Sequence, residues 1–157
     1  MSQTPLKADS VSAQTGSGYP EPFKSRMGDA AWRPLGDPFG LSQFGVNLET
    51  LQPNAQSALR HWHTLDDEFV YMLSGELTLC NNDGEFLLTE GLCVGFRAGD
   101  DNAHHLVNRS TSEARFLVMG SRVPGDRAFY PDDDLAWFYK ENVIHAVHKD
   151  GSPYSDC

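Results

Sequence analysis

Between Gln43 and Gly120 turn residues interrupt the chain so often that only short strands fit between them. Residues 43–51 alternate, with Phe44, Val46 and Leu48 on one face and Gln43, Gly45, Asn47 and Glu49 on the other. Gln52-Pro53-Asn54-Ala55 then turns the chain into a strand over 58–63. Strand formers follow at 69–73 and 76–80, on either side of Ser74-Gly75. Asp83-Gly84 tolerates the positive φ of a tight hairpin ahead of 85–88. Further strands are expected at 92–96, 104–108 and 114–120, separated from their neighbours by turns. No long helix is expected. Many short strands joined by turns point to an all-β antiparallel sandwich or barrel.

One stretch carries chemistry. His61-Trp62-His63-Thr64-Leu65-Asp66-Asp67-Glu68, closed by Gly75, reads H-x-H-x4-E-x6-G. Side chains of an extended strand alternate, so His61 and His63 point one way and Trp62 the other. Residues 64–67 read as a turn, and Glu68 opens the next strand. Two paired antiparallel strands would return Glu68 to the side of His63. Two imidazoles and a carboxylate in one small volume suit a divalent transition metal. A further candidate ligand lies in 97–108, where His104, Leu106 and Asn108 share one face and His105 and Val107 the other.

Together these stretches resemble the paired motifs of the cupin superfamily, over about residues 40–121. The first resembles G-x5-H-x-H-x3/4-E-x6-G from His61 through Gly75. The second resembles G-x5-P-x-G-x2-H-x3-N, with Gly91, Gly99, His104 and Asn108 in place. Arg97 stands where that motif has Pro, two extra residues follow Gly99, and Asn54 or another residue replaces the leading Gly of the first motif. The resemblance implies a double-stranded β-helix, or jelly-roll, barrel. Its H-x3-N spacing selects His104 over His105. It implies one divalent transition metal on His61, His63, Glu68 and His104, and manganese, iron, cobalt, nickel, copper and zinc all accept such ligands. Arg97, at the mouth of such a barrel, is a candidate to hold a substrate carboxylate or phosphate; the alternative is an ion pair with Asp100 or Asp101. Barrels of this family commonly dimerise through edge strands or N-terminal arms, so a homodimer is expected. A clean monomer in gel filtration at micromolar concentration would count against it.

Small single-domain members resembling the lead-in Phe39-Gly40-Leu41 … Phe44-Gly45-Val46-Asn47-Leu48 are described as sugar-phosphate isomerases, a description itself inferred from fold. Three readings stay open. The first is a metal-dependent enzyme on a small polar oxygenated substrate, resembling those isomerases. It needs a proton-transferring base and an anion clamp, for which Arg97, Arg33 or Lys24 would have to reach the site. The second is an Fe(II)-dependent dioxygenase, with Val70, Met72 and Leu106 as an apolar wall. The third is a small-molecule binding or sensing protein without turnover.

Composition narrows the partners. The 157 residues suit one domain with a core of its own, expected over 19–157. A formal charge of −10 opposes binding to nucleic acid and to anionic membrane surfaces. No apolar run is long enough to span a bilayer, and the start of the chain lacks the apolar segment of a signal peptide. Cys80, Cys93 and Cys157 are odd in number and widely spaced, which fits free thiols in a cytoplasmic protein. Cys80 and Cys93 sit in strand runs and are expected to be buried.

Outside the barrel stretches, residues 1–18 are small and polar and are expected to be disordered. Gly18-Tyr19-Pro20-Glu21-Pro22-Phe23 reads as an extended arm that Tyr19 and Phe23 could anchor on the barrel or on a neighbouring subunit. Pro131-Asp132-Asp133-Asp134 could open a short helix, and 142–148 reads as a strand. Asp66 and Asp67 are expected in a solvated turn. His105, His145 and His148 are expected at the surface or in hydrogen bonds.

Overall fold

The computed structural model describes residues 3–140 and 143–154. In chain order the strands are β1 (Gln14–Thr15), β2 (Ala30–Pro34), β3 (Phe44–Leu51), β4 (Trp62–His63), β5 (Glu68–Ser74), β6 (Glu76–Asn81), β7 (Gly84–Thr89), β8 (Cys93–Phe96), β9 (His105–Val107), β10 (Ala114–Ser121), β11 (Arg127–Phe129), β12 (Ala136–Lys140) and β13 (Val143–Val147). Every pairing between them is antiparallel. No α-helix occurs among the described residues.

A six-stranded sheet, ordered β1-β2-β3-β10-β5-β8, forms one wall. The facing wall is made of two smaller sheets, β7-β6-β9 and β13-β12-β11-β4. They are stitched together where His61 and His104 exchange backbone hydrogen bonds, 3.1 Å from His61 N to His104 O and 2.8 Å in return. This is the jelly-roll. The main core lies between the six-stranded sheet and β7-β6-β9, built on Leu51, Met72, Leu77, Leu79, Leu106 and Phe116.

Several expectations about the elements change. β4 pairs with β11, while β5 pairs with β10 and β8, so His63 and Glu68 meet across the barrel and not along one hairpin. The turn between them crosses from one wall to the other. No helix starts at Pro131, because each following acid is engaged by a different part of the fold. Asp132 binds Arg60 at 2.6 Å, Asp133 binds Arg26 at 2.5 Å, and Asp134 meets His148 at 2.8 Å. Residues 3–18 carry local structure where disorder was expected. β1 pairs with β2, Asp9 bonds Arg115, and Arg33 donates to Val11 O at 2.5 Å. A polar composition does not prevent a strand from completing an existing sheet edge. Met1 and Ser2 of that stretch, Asn142 of the last expected strand, and Cys157 lie outside the described residues. Cys80 is half-buried and Cys93 exposed, against the expectation of buried thiols: Cys93 faces outward on β8, an edge strand.

The arm folds back on its own chain. Tyr19 packs edge-on to Tyr130 and tilts against Trp137, while Phe23 meets Tyr154. With Met27, Leu59 and Leu135 these form a second apolar cluster beneath the β4–β11–β12 wall.

Candidate functional site

The stitch between the two smaller sheets decides the site. A mutual pair of backbone hydrogen bonds makes His61 and His104 cross-strand neighbours with side chains on the same face. His63, two residues beyond His61, repeats that orientation. Glu68 reaches them from the opposite wall. Its Oε2 lies 3.9 Å from His61 Nε2, 3.8 Å from His63 Nε2 and 3.6 Å from His104 Nε2. The structure therefore brings all four residues of the sequence-derived set together. His105 faces away, with its Nδ1 3.2 Å from Ala58 O.

The surroundings orient each ring. His61 Nδ1 donates to Leu59 O at 2.7 Å, and His63 Nδ1 donates to Asp126 Oδ2 at 2.6 Å. Both rings thereby present Nε2 lone pairs toward Glu68. Phe96 stacks on His104 with centroids 3.4 Å apart and planes 2° from parallel. Both nitrogens of His104 are buried without a hydrogen-bond partner. Such an orphan is costly unless something else occupies it. Burial, outweighing the attraction of Glu68, lowers His61 to about 4, so the ring is neutral near pH 7. Burial pushes the Glu68 carboxyl up, but His104 beside it and the charges of His61 and His63 outweigh this and hold it at about 2. Its side chain keeps 18% of its surface open to the chamber. Three imidazoles whose Nε2 atoms converge on an ionised carboxylate fit a divalent transition metal. His61, Glu68 and His104 offer atoms all within 4.8 Å of one another.

Asp126 was not singled out in the sequence. It is 7% exposed and ties the site to the turn that crosses the barrel. Beyond His63, its Oδ1 accepts from Leu65 N at 2.8 Å, Asp66 N at 3.2 Å and Thr64 Oγ1 at 3.2 Å. Only its place after a Pro-Gly turn marked it, and that says nothing of a carboxylate behind a histidine.

The four residues border a chamber of about 460 Å³ inside the barrel, a size typical of small-molecule sites. Val70, Leu106, Phe116 and Val118 give it an apolar side. The polar face of β3 gives it another: Gly45, Asn47 and Glu49 point inward, not to solvent. Burial first, and the charge of Glu68 second, push the Glu49 carboxyl up to about 8. Glu49 retains partial exposure to the chamber, so water there moderates the shift without changing its direction. Met72, expected in an apolar wall, is fully buried in the core behind it. Arg122 is the one lysine or arginine among the described residues lining the chamber. Arg33 is held on the outside of the barrel. Arg97 borders a separate recess of about 160 Å³ that reaches His63, Glu68 and His104 from the other side of Phe96. Among the described residues it makes no ion pair with Asp100 or Asp101. Asp66 and Asp67 clamp loops: Asp66 accepts from Val123 N at 2.7 Å, and Asp67 from Ala98 N at 2.8 Å.

Comparison with known proteins agrees with this architecture. A crystal structure described as a sugar phosphate isomerase of the cupin superfamily, from Silicibacter pomeroyi, is 42% identical, with 97% of each chain covered and a TM-score of 0.91. A provisional sugar phosphate isomerase from Acidithiobacillus ferrooxidans is 28% identical over 80% of each chain, with a TM-score of 0.72. A polyketide cyclase from Streptomyces resistomycificus shares the fold at 21% identity and a TM-score of 0.62, covering 76% of this chain and 80% of its own. A search of curated proteins finds no match. The family model for the cupin domain matches residues 47–120, the segment from the polar face of β3 to the end of β10 that holds all four converging side chains. With a full-length relative of that description and this barrel, the chain belongs to the cupin superfamily.

Proposed function

We propose that this cupin is a metal-dependent enzyme that isomerises a small phosphorylated sugar or a close chemical relative. The observation that carries the reading is the pair of orphaned His104 nitrogens beside Glu68, at the edge of a chamber with one polar wall. The 42% identical structure described as a sugar phosphate isomerase supports the substrate class. His61, His63, Glu68 and His104 would hold the metal, which when bound supplies a Lewis acid that polarises a carbonyl. The protein's own residues do the rest. Leu59 O and Asp126 fix the two histidine rings, Phe96 wedges the third, and the apolar side of the chamber limits water. Arg122, which also donates to Leu41 O at 3.3 Å, would receive the phosphate from within the chamber, and Arg97 from the recess behind Phe96.

A second reading is an Fe(II)-dependent dioxygenase, favoured by Val70 and Leu106 on the chamber wall. The test is elemental analysis of protein purified without a metal-affinity step, then substrate screens with and without air. Interconversion of an aldose phosphate and its ketose without oxygen is the expected result. Oxygen uptake would select the dioxygenase, and ligand-dependent stabilisation without turnover would select a binding protein.

A further inference from the structure

We propose that Glu49 is a catalytic residue, the carboxyl that takes the proton from the substrate's carbon and returns it to the neighbouring one. The assignment rests on the isomerase reading. The alternation of β3 turns Gly45, Asn47 and Glu49 into the chamber. An interior carboxyl next to Phe116, its neighbour on β10, is costly to keep unless it has a task. The other acids of the chamber are occupied. Asp66 and Asp67 hold loops through Val123 N and Ala98 N, and Glu68 sits among the three histidines. Glu49 makes no hydrogen bond or ion pair among the described residues, so its oxygens are free for a ligand.

The register sets its distance from the histidine cluster. Glu68 lies level with Gly120 on β10, and Gly120 with Gly45 on β3. Glu49 is therefore two inward-facing positions deeper along the wall than the row of Glu68. Four residues of strand put roughly 13 Å of backbone between the two rows, and both carboxyls line the same chamber, which a sugar phosphate several carbons long can span. Burial also raises the carboxyl's affinity for a proton, as a shuttling group needs.

The step balances without an oxidant. The C–H bond next to the carbonyl breaks, and its proton passes to a Glu49 carboxylate oxygen. The electron pair becomes the C=C bond of an enediol as the carbonyl oxygen gains a proton. The adjacent hydroxyl then loses its proton to become the new carbonyl, and Glu49 returns its proton to the former carbonyl carbon. One hydroxyl proton has moved between oxygens and one proton between carbons.

The experiment compares metal-loaded wild type with Glu49→Gln in D2O. The probes are a panel of aldose and ketose phosphates from triose to hexose. NMR reads conversion and deuterium at the carbon, elemental analysis reads metal content, and thermal shift reads binding of the same phosphates. Glu49→Gln has the same shape without the proton-accepting charge. It should keep its metal and its binding and lose conversion and exchange by about 100-fold or more. Glu49→Asp should recover part of both. Conversion by Glu49→Gln within about threefold of wild type, a loss that estimate of general-base action excludes, would overturn the role of Glu49 and leave the isomerase reading standing. So would loss of bound metal in Glu49→Gln together with activity. A wild type inert on every member of the panel would overturn the isomerase reading, and this assignment with it.

Discussion

His104 and His105 are adjacent, yet only one of them meets Glu68. His104 is 4% exposed and lies 3.6 Å from the carboxylate, while His105 turns to Ala58 O. His104→Ala should lose most bound metal, because a four-ligand set drops to three. His105→Ala should keep it. Elemental analysis of both variants decides, and the reverse pattern would mean that the inward face of this strand is wrongly assigned. Asn108, four residues on, shows what the end of the second motif does. Its amide donates to Leu51 O and Ser112 O, both at 2.8 Å, and its carbonyl accepts from Ser110 N at 3.0 Å. With these bonds it knits β3 to the loop ahead of β10.

At the scale of elements, the glycine closing the first motif is fixed by steric necessity. Gly75 has φ 73° between β5 and β6, and a Cβ there would sit 2.5 Å from Glu113 O and 2.8 Å from Ala114 Cα. Gly75→Ala should destabilise the fold by roughly 2–4 kcal/mol, the sum of backbone strain and overpacking. Its metal content per folded molecule should not change, because the ligands lie at the other end of β5. Chemical denaturation with an unshifted midpoint would refute the steric account. Asn54 is the one non-glycine at positive φ among the described residues, at 69°. Asn tolerates that region better than other side chains, which is how the turn ahead of the first histidines forms without the motif's leading glycine.

For the whole molecule, the buried charges set a dependence on pH. In the metal-free protein Glu68 and Asp126 have lowered folded-state values. For Asp126 burial opposes the shift, and bonds from Leu65 N and His63 outweigh it. Both groups stabilise the fold fully above their unfolded values of 4.5 and 3.8, and lose that contribution as the pH falls through the folded ones. His61, lowered from 6.5 to about 4, adds a loss between those values. Glu49, raised from 4.5 to about 8, works the other way, since its folded form gains stability as the pH falls across that range. The two shifts oppose each other between pH 4.5 and 6.5, and of these four groups only losses remain below 4.5. Metal-free protein should therefore lose denaturant resistance steeply below about pH 4.5. A midpoint unchanged from there to pH 3 would contradict the buried-charge account. No helix among the described residues is long and apolar enough to cross a membrane.

The strands from 43 to 120 were readable because turn residues and alternation are local properties; alternation grouped His61 with His63, and the resemblance to the cupin motifs completed the candidate ligand set with His104. What alternation cannot tell is which face of a strand looks inward. The polar face of β3 lines a chamber, and nothing in the alternation singled out Glu49 before the walls closed around it. Pairing partners are equally non-local. His63 and Glu68 are five residues apart in sequence yet stand on opposite walls, and the carboxylate behind His63 comes from Asp126, 63 residues away. β11 and β12, beyond residue 120, were not read as strands. They exist because the barrel supplies their partners, as the edge at β2 orders the polar stretch around β1. Residue type, spacing and the motifs they resemble thus determined the fold class and the candidate ligands, while closure of the barrel decided what surrounds them, because burial and cross-strand contact exist only once distant segments meet.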